Sequence, residues 1–162
     1  MKKNILKSIL FLVFIFSPML LYAQKKQLAT ARESLKTGKE LVKAEKSMQN
    51  LLEDSVNRTN TKIWVMLCDI LMKQYEQGNE KLYLKQQYDT AAFFSVTKRM
   101  YETMAKFDSI DAHLNMPSPV LPKYRERHAQ FLNSIRPNLF NGGTYFFSIQ
   151  CHSKTPYYLY KL

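Results

Sequence analysis

The chain has 162 residues, enough for one domain and too few for two domains of ordinary size. It carries 24 basic and 13 acidic residues, a net charge of +11, which favours anionic surroundings such as lipid head groups, acidic glycans or acidic proteins. Its two cysteines are too few for a disulfide-stapled scaffold.

The first 23 residues have the features of a signal peptide. Lys2, Lys3 and Lys7 form a basic start, Ile9–Phe16 is apolar, and Ala23 is a small residue at the expected cleavage point. The apolar stretch is shorter than the roughly 20 residues that span a bilayer, although an uncleaved anchor is the alternative. We therefore expect export to the periplasm or the outer membrane, which argues against nucleic acid as a partner.

Residues 24–150 show helical spacing of apolar side chains almost throughout, so the sequence predicts an all-α domain. The predicted helices are Lys25–Lys36, Lys39–Asp54, one with the apolar residues Ile63–Tyr75, a short one at Lys81–Gln87, Tyr88–Phe107, one from Pro122 to Ile135, and Leu139–Gln150. Short links between them indicate antiparallel neighbours packed in pairs.

Glycine and proline predict the breaks between these helices. Gly78 is expected to end the third helix as a left-handed cap. The prolines at 117 and 119 predict a loop over Asp111–Leu121. Residues 151–162 differ from the rest, and we expect an irregular tail there.

Two helices carry broad apolar faces. Trp64 shares one side of its helix with Leu67, Ile70 and Leu71, which predicts that the indole is buried. The Tyr88–Phe107 helix is rich in large apolar groups, which predicts core packing on two sides or an exposed partner-binding stripe. Its large side chains are Phe93, Phe94, Met100, Tyr101, Met104 and Phe107.

Three segments repeat the spacing of a tetratricopeptide hairpin, in which large residues flank a small residue where two helices cross. The first is Leu28-x2-Ala31-Arg32-x2-Leu35, followed by Ala44-x3-Met48. The second is Trp64-x2-Leu67-Cys68-x2-Leu71, whose alanine partner Ala91 comes late. The third is Leu139-x2-Gly142-Gly143-x2-Phe146.

With these segments the chain resembles exported bacterial tetratricopeptide-repeat proteins, including a class with stretches like Tyr88–Phe94 and Asn138–Gly143. The resemblance covers about Lys25–Gln150 and implies antiparallel hairpins stacked as a short right-handed solenoid. An ordinary helical bundle is the alternative. Thr155 and Pro156 depart from the third repeat, because proline disrupts a helix interior. The chain therefore looks truncated or frame-shifted relative to fuller relatives.

The sequence predicts neither catalysis nor a cofactor or metal site. The three histidines do not share a metal-ligand spacing. Cys151 and His152 are adjacent, so their side chains diverge, and Cys68 has apolar neighbours that disfavour a reactive thiolate. A Cys68–Cys151 disulfide and a buried thiol at Cys68 are both open.

The resemblance implies instead a peptide-binding groove lined by the first helix of each hairpin. Its candidate residues are Lys62, Met66, Asp69, Lys73, Asn141, Thr144 and Phe147. The predicted function is a non-enzymatic protein or peptide interaction module or scaffold of the cell envelope. The alternatives are a basic surface protein that binds anionic lipid or glycan, and a truncated paralogue without function.

The predicted C-terminal end leaves an apolar surface without cover. If Leu139–Gln150 begins a hairpin, the tail lacks a good second helix to pack against it. We expect Leu139, Phe140, Phe146 and Phe147 to stay partly exposed, the tail to be poorly ordered, and the protein to self-associate or to bind a partner helix there.

Overall fold

A computed structural model describes residues 23–114 and 123–154 of the chain. In these ranges every regular element is a helix, so the predicted all-α class is confirmed. The helices are α1 (23–37), α2 (Leu41–Glu53), α3 (Thr61–Tyr83), α4 (Thr90–Leu114), α5 (Arg125–Ser134) and α6 (Arg136–Lys154). None of the helices in the described part has both the length and the apolarity that crossing a bilayer requires.

The chain forms two compact units, and the boundary between Ile70 and Leu71 falls within α3. In the first unit, α1 and α2 are an antiparallel hairpin. Gln24 Nε2, at the start of α1, donates a 3.1 Å hydrogen bond to Asn57 Oδ1 just after α2. The core of this unit comes from α1, α2 and the first half of α3: Ala31, Leu41, Ala44, Met48, Ile63, Trp64, Met66, Leu67, Cys68 and Ile70.

Trp64 is buried, as its helical register predicts, with 5% of its surface exposed. Its indole nitrogen donates a 2.7 Å hydrogen bond to the carbonyl oxygen of Arg58, in the turn before α3. The burial is therefore achieved without leaving the indole N–H unsatisfied.

The predicted end of the third helix at Gly78 is wrong, because α3 continues to Tyr83. Gly78 does not have positive φ, and it serves packing instead: an added Cβ would lie 2.9 Å from the Phe93 ring and 3.0 Å from the Tyr88 ring. The left-handed residue after α3 is Lys85. The separate helix predicted over residues 81–87 is therefore the last turn of α3 followed by a turn.

α4 begins where Asp89 caps it and is longer than predicted. Asp89 Oδ1 accepts hydrogen bonds from the backbone N–H groups of Ala91 and Ala92, which satisfies donors that the first turn leaves unpaired. The helix runs to Leu114, so residues 111–114 are helical and not part of the predicted loop. Of the two alternatives for this helix, core packing holds for Phe93 and Phe107, which are buried. Tyr101 is 49% exposed.

α5 and α6 follow each other with a single break at Ile135, and Pro137 lies in the first turn of α6. Proline is tolerated there because the N–H groups of a first turn have no partner within the helix. The pair runs antiparallel to α4: Tyr124 contacts Phe107, and Tyr145 contacts Phe94.

Several predictions concern residues outside the described ranges: the signal peptide up to residue 22, the loop prolines, Pro122 and the tail from Thr155. α6 includes Cys151–Lys154, so the prediction of an irregular tail is wrong for these four residues. The right-handed stacking of hairpins into a solenoid stays a prediction.

Candidate functional site

An open groove of about 180 Å³ runs between α4 and α6 in the second unit. It is lined by Phe94, Thr97, Lys98, Tyr101, Asn138, Leu139, Gly142, Gly143 and Phe146. The floor and walls are therefore largely aromatic and aliphatic, with one lysine at the rim.

Close packing of α6 on α4 forms one end of this groove. A Cβ on Gly142 would meet Phe94 at 3.0 Å, so the absence of a side chain brings the α6 backbone against the ring. The Phe94 ring also contacts Tyr145 (5.3 Å between ring centroids) and Phe93 (5.4 Å). The ring that lines the groove is thus held by neighbours on both helices.

An apolar stripe on α6 continues from the groove to open surface. Leu139, Phe140, Gly143, Phe146 and Phe147 have the spacing of one helical face, and we call them the α6 stripe. Phe140 is 73% exposed, Phe147 70% and Phe146 41%, while Leu139 is half-buried. The predicted exposure of this end is confirmed.

The start of α6 is fixed by a polar contact. Asn138 Nδ2 donates a 2.6 Å hydrogen bond to the phenolic oxygen of Tyr75, and it lies 3.3 Å from Asn79 Oδ1. Both acceptors lie on the second half of α3. The contact orients the first turn of α6, and with it Leu139 and Phe140.

A hydrogen bond between buried His128 and Asp108 fixes α5 against α4. His128 Nδ1 lies 2.6 Å from Asp108 Oδ1, and the His128 side chain is 3% exposed. Its imidazole also lies beside the rings of Phe107 and Tyr124. Because His128 is enclosed by these neighbours, it is placed to hold the helices together and not to reach a ligand.

The α3 residues predicted to line a peptide groove have different environments. Lys62 is exposed and Asp69 is partly exposed. Met66 is 8% exposed and belongs to the core, so little of its side chain is accessible to a peptide. Lys73 is half-exposed and forms an ion pair with Glu76 (3.3 Å). Lys62, Met66 and Asp69 belong to the first unit and Lys73 to the second.

The three candidates on α6 are all exposed. Phe147 belongs to the α6 stripe. Asn141 and Thr144 lie on the adjoining side of the helix, where the Thr144 hydroxyl donates a 2.9 Å hydrogen bond to the Asn141 carbonyl oxygen. Of the predicted groove residues, Phe147 is the one that adjoins the observed groove.

The side chains that could act as nucleophiles or metal ligands do not form a cluster within the described residues. Cys68 is 1% exposed. Within the described residues, no three His, Cys, Asp or Glu side chains are close enough together to hold a metal ion. The side chains of His113 and of the Cys151-His152 pair lie outside those that the structure describes.

The contribution of α4 to the groove was not predicted. The sequence singled out Phe94 and Tyr101 as large groups on one helix, but it paired that helix with α3 and not with α6. The signal that could have indicated the contact is Gly142, because a glycine inside a helix permits another element to approach closely.

Comparison with known proteins adds no relative: no family model, no curated protein and no solved structure matches this chain.

Proposed function

We propose that this chain is a non-enzymatic interaction protein of the cell envelope that binds a protein partner through the α6 stripe and the groove beside it. One observation carries the proposal. Phe140 and Phe147 are 73% and 70% exposed on the same side of α6, next to a groove lined by further aromatic rings. Large apolar patches at a surface mark interaction sites, since exposing them to water is unfavourable.

The composition of α6 also supports a binding role. Between its terminal residues Arg136 and Lys154 the helix has no Asp, Glu, Lys or Arg. A partner can cover an uncharged helix surface without burying an unpaired charge. Removing one such charge from water would cost roughly several kcal/mol.

A site-specific crosslinking experiment tests this proposal. A photoreactive phenylalanine analogue is placed at Phe147, or at Val56 as the control, and the full chain is expressed in a bacterium with two membranes. Val56 is 81% exposed and belongs to the first unit, whereas the α6 stripe belongs to the second. We expect crosslinked species from position 147 and none from position 56.

A second substitution tests whether the crosslinks depend on the α6 stripe. The same crosslinks should be lost when Phe140→Gln is added, while melting followed by circular dichroism stays unchanged because Phe140 is largely exposed. Equal crosslinking from both positions, or none from position 147, would contradict the proposal.

The envelope location rests on the basic and apolar N-terminal segment and is tested separately. N-terminal sequencing of the protein from the envelope fraction should begin at Gln24, because Ala23 is the expected cleavage residue. Full-length protein in the cytoplasm would show that the location is wrong.

A further inference from the structure

Two adjacent glycines lie in the middle of α6, and neither has positive φ. Glycine inside a helix is less favourable than alanine by about 1 kcal/mol. Gly142 has a reason within the unit, since a Cβ there would meet Phe94 at 3.0 Å. Gly143 has none: a Cβ added to it would meet nothing within 4 Å.

Gly143 is at the centre of the α6 stripe and also lines the groove. Because Gly143 has no side chain, the helix surface is recessed there between the side chains of Leu139 and Phe147. An external helix that crosses α6 at Gly143 can bring its own backbone close, while the aromatic rings on either side contact its apolar face. This geometry suits a helix better than an extended strand, because α6 offers no free row of backbone donors and acceptors.

The charges around the stripe indicate what flanks the apolar face of that helix. Lys98 lines the groove, and its side chain is 69% exposed. Arg136 and Lys154 lie at the two ends of α6. Lys98 lies 3.8 Å from Glu102, an exposed pair of the kind that contributes little and leaves the lysine available. A ligand with acidic groups beside its apolar stripe complements this arrangement.

The same charges disfavour a second copy of the chain as the occupant. Two copies of α6 packed on each other would bring together only basic charged ends, in a protein whose net charge is already +11.

We infer that the α6 stripe binds an amphipathic helix of a partner protein, one whose apolar face is flanked by Asp and Glu and crosses α6 at Gly143. This inference rests on the proposed function and identifies the class of partner for that same surface.

Synthetic peptides test the inference directly. Three labelled peptides of 19 residues, the length of α6, are compared by fluorescence anisotropy with the full mature chain. The first has a leucine stripe flanked by Glu, the second the same stripe flanked by Lys, and the third the Glu composition with the stripe scrambled. We expect the first to bind at least about tenfold more tightly than either other peptide, and to weaken as salt is raised.

Variants at Gly143 locate the contact. Gly143→Trp should reduce binding of the first peptide by about tenfold or more, since the indole fills the crossing point. Val56→Trp adds the same side chain to the first unit and should leave binding unchanged. Gly143→Leu provides a second bulky variant, and both Gly143 variants should melt no lower than wild type, because the position is open and both residues favour a helix more than glycine does.

Three results would overturn the inference. The first is that the Lys-flanked peptide binds as tightly as the Glu-flanked one. The second is that folded Gly143→Trp binds the first peptide as wild type does. The third is that light scattering shows a wild-type dimer that Gly143→Trp dissociates. If position 147 forms specific crosslinks but the Glu-flanked peptide does not bind, the inference fails and the proposed function stands. If neither occurs, both fail.

Discussion

The side-chain amide of Asn138 donates a 2.6 Å hydrogen bond to the phenolic oxygen of Tyr75, 63 residues earlier in the chain. The Tyr75 ring stacks on Phe93 (5.2 Å between centroids) and meets the edge of Phe131 (6.0 Å). One tyrosine of α3 therefore contacts α4, α5 and α6. Its hydrogen bond with Asn138 holds the first turn of α6, next to the residues that begin the α6 stripe.

The Asn138–Tyr75 hydrogen bond should be measurable as a coupling free energy. Tyr75→Phe and Asn138→Ala should each destabilise the protein by about 1 kcal/mol, because each removes a hydrogen bond and leaves its partner less satisfied. The double variant should be less destabilised than the sum of the single variants. Urea unfolding of the four proteins measures this, and strict additivity would show that the two side chains do not interact.

Tyr75 also predicts a pH dependence. Burial raises the pKa of Tyr75 above its ordinary value of 10.0, and the hydrogen bond from Asn138 opposes part of that rise. The folded protein thus holds the phenolic proton more tightly than the unfolded chain does. The resulting stabilisation is fully present below the unfolded pKa, which is about 10, and is lost as the pH rises through the higher folded pKa.

Ultraviolet titration of tyrosinate in wild type and Tyr75→Phe isolates this group by difference. Asn138→Ala should raise the pKa of Tyr75 further, because it removes a hydrogen bond that favours the phenolate. A Tyr75 that titrates at or below the ordinary value would contradict the burial seen here.

Three helical glycines should respond differently to alanine. Gly143→Ala should stabilise the protein by up to about 1 kcal/mol, since alanine favours the helix and the added Cβ meets nothing within 4 Å. Gly78→Ala should destabilise it by about 1–3 kcal/mol, because the Cβ would lie 2.9 Å from the buried Phe93 ring. Gly142→Ala should fall between them, as the Phe94 ring at 3.0 Å must shift. Thermal unfolding gives the order, and a stabilising Gly78→Ala would show that the space beside Phe93 is larger than described.

Trp64 should be among the most sensitive positions of the first unit. Trp64→Ala should cost about 3–5 kcal/mol, because it removes a large buried side chain and leaves a cavity. Wild-type tryptophan fluorescence should be blue-shifted relative to the unfolded chain, and this is the sole tryptophan, so the signal is unambiguous. A loss of stability under about 1 kcal/mol would contradict the observed burial of the indole.

The sequence by itself determined the local features of this protein. Apolar residues at helical spacing predicted the helices and the burial of Trp64. Residues repeated at that period lie on one face of a helix, and an apolar face packs against the core. The exposure of Phe140 and Phe147 was also predictable, because the residues after Lys154 include Pro156, a poor residue for a covering helix.

The tertiary structure alone decided which helices meet and where they end. Glycine at position 78 is typical of a helix end, yet α3 continues past it to Tyr83. The rings of Phe93 and Tyr88 pack where a side chain at position 78 would lie. Met66 fitted a groove pattern, but packing places it in the core. The groove between α4 and α6 depends on Gly142 meeting Phe94, 48 positions away in a chain whose local periodicity carries no information about such pairings. Contacts between distant segments are selected by the fit of their side chains, and that fit exists only once the helices have packed.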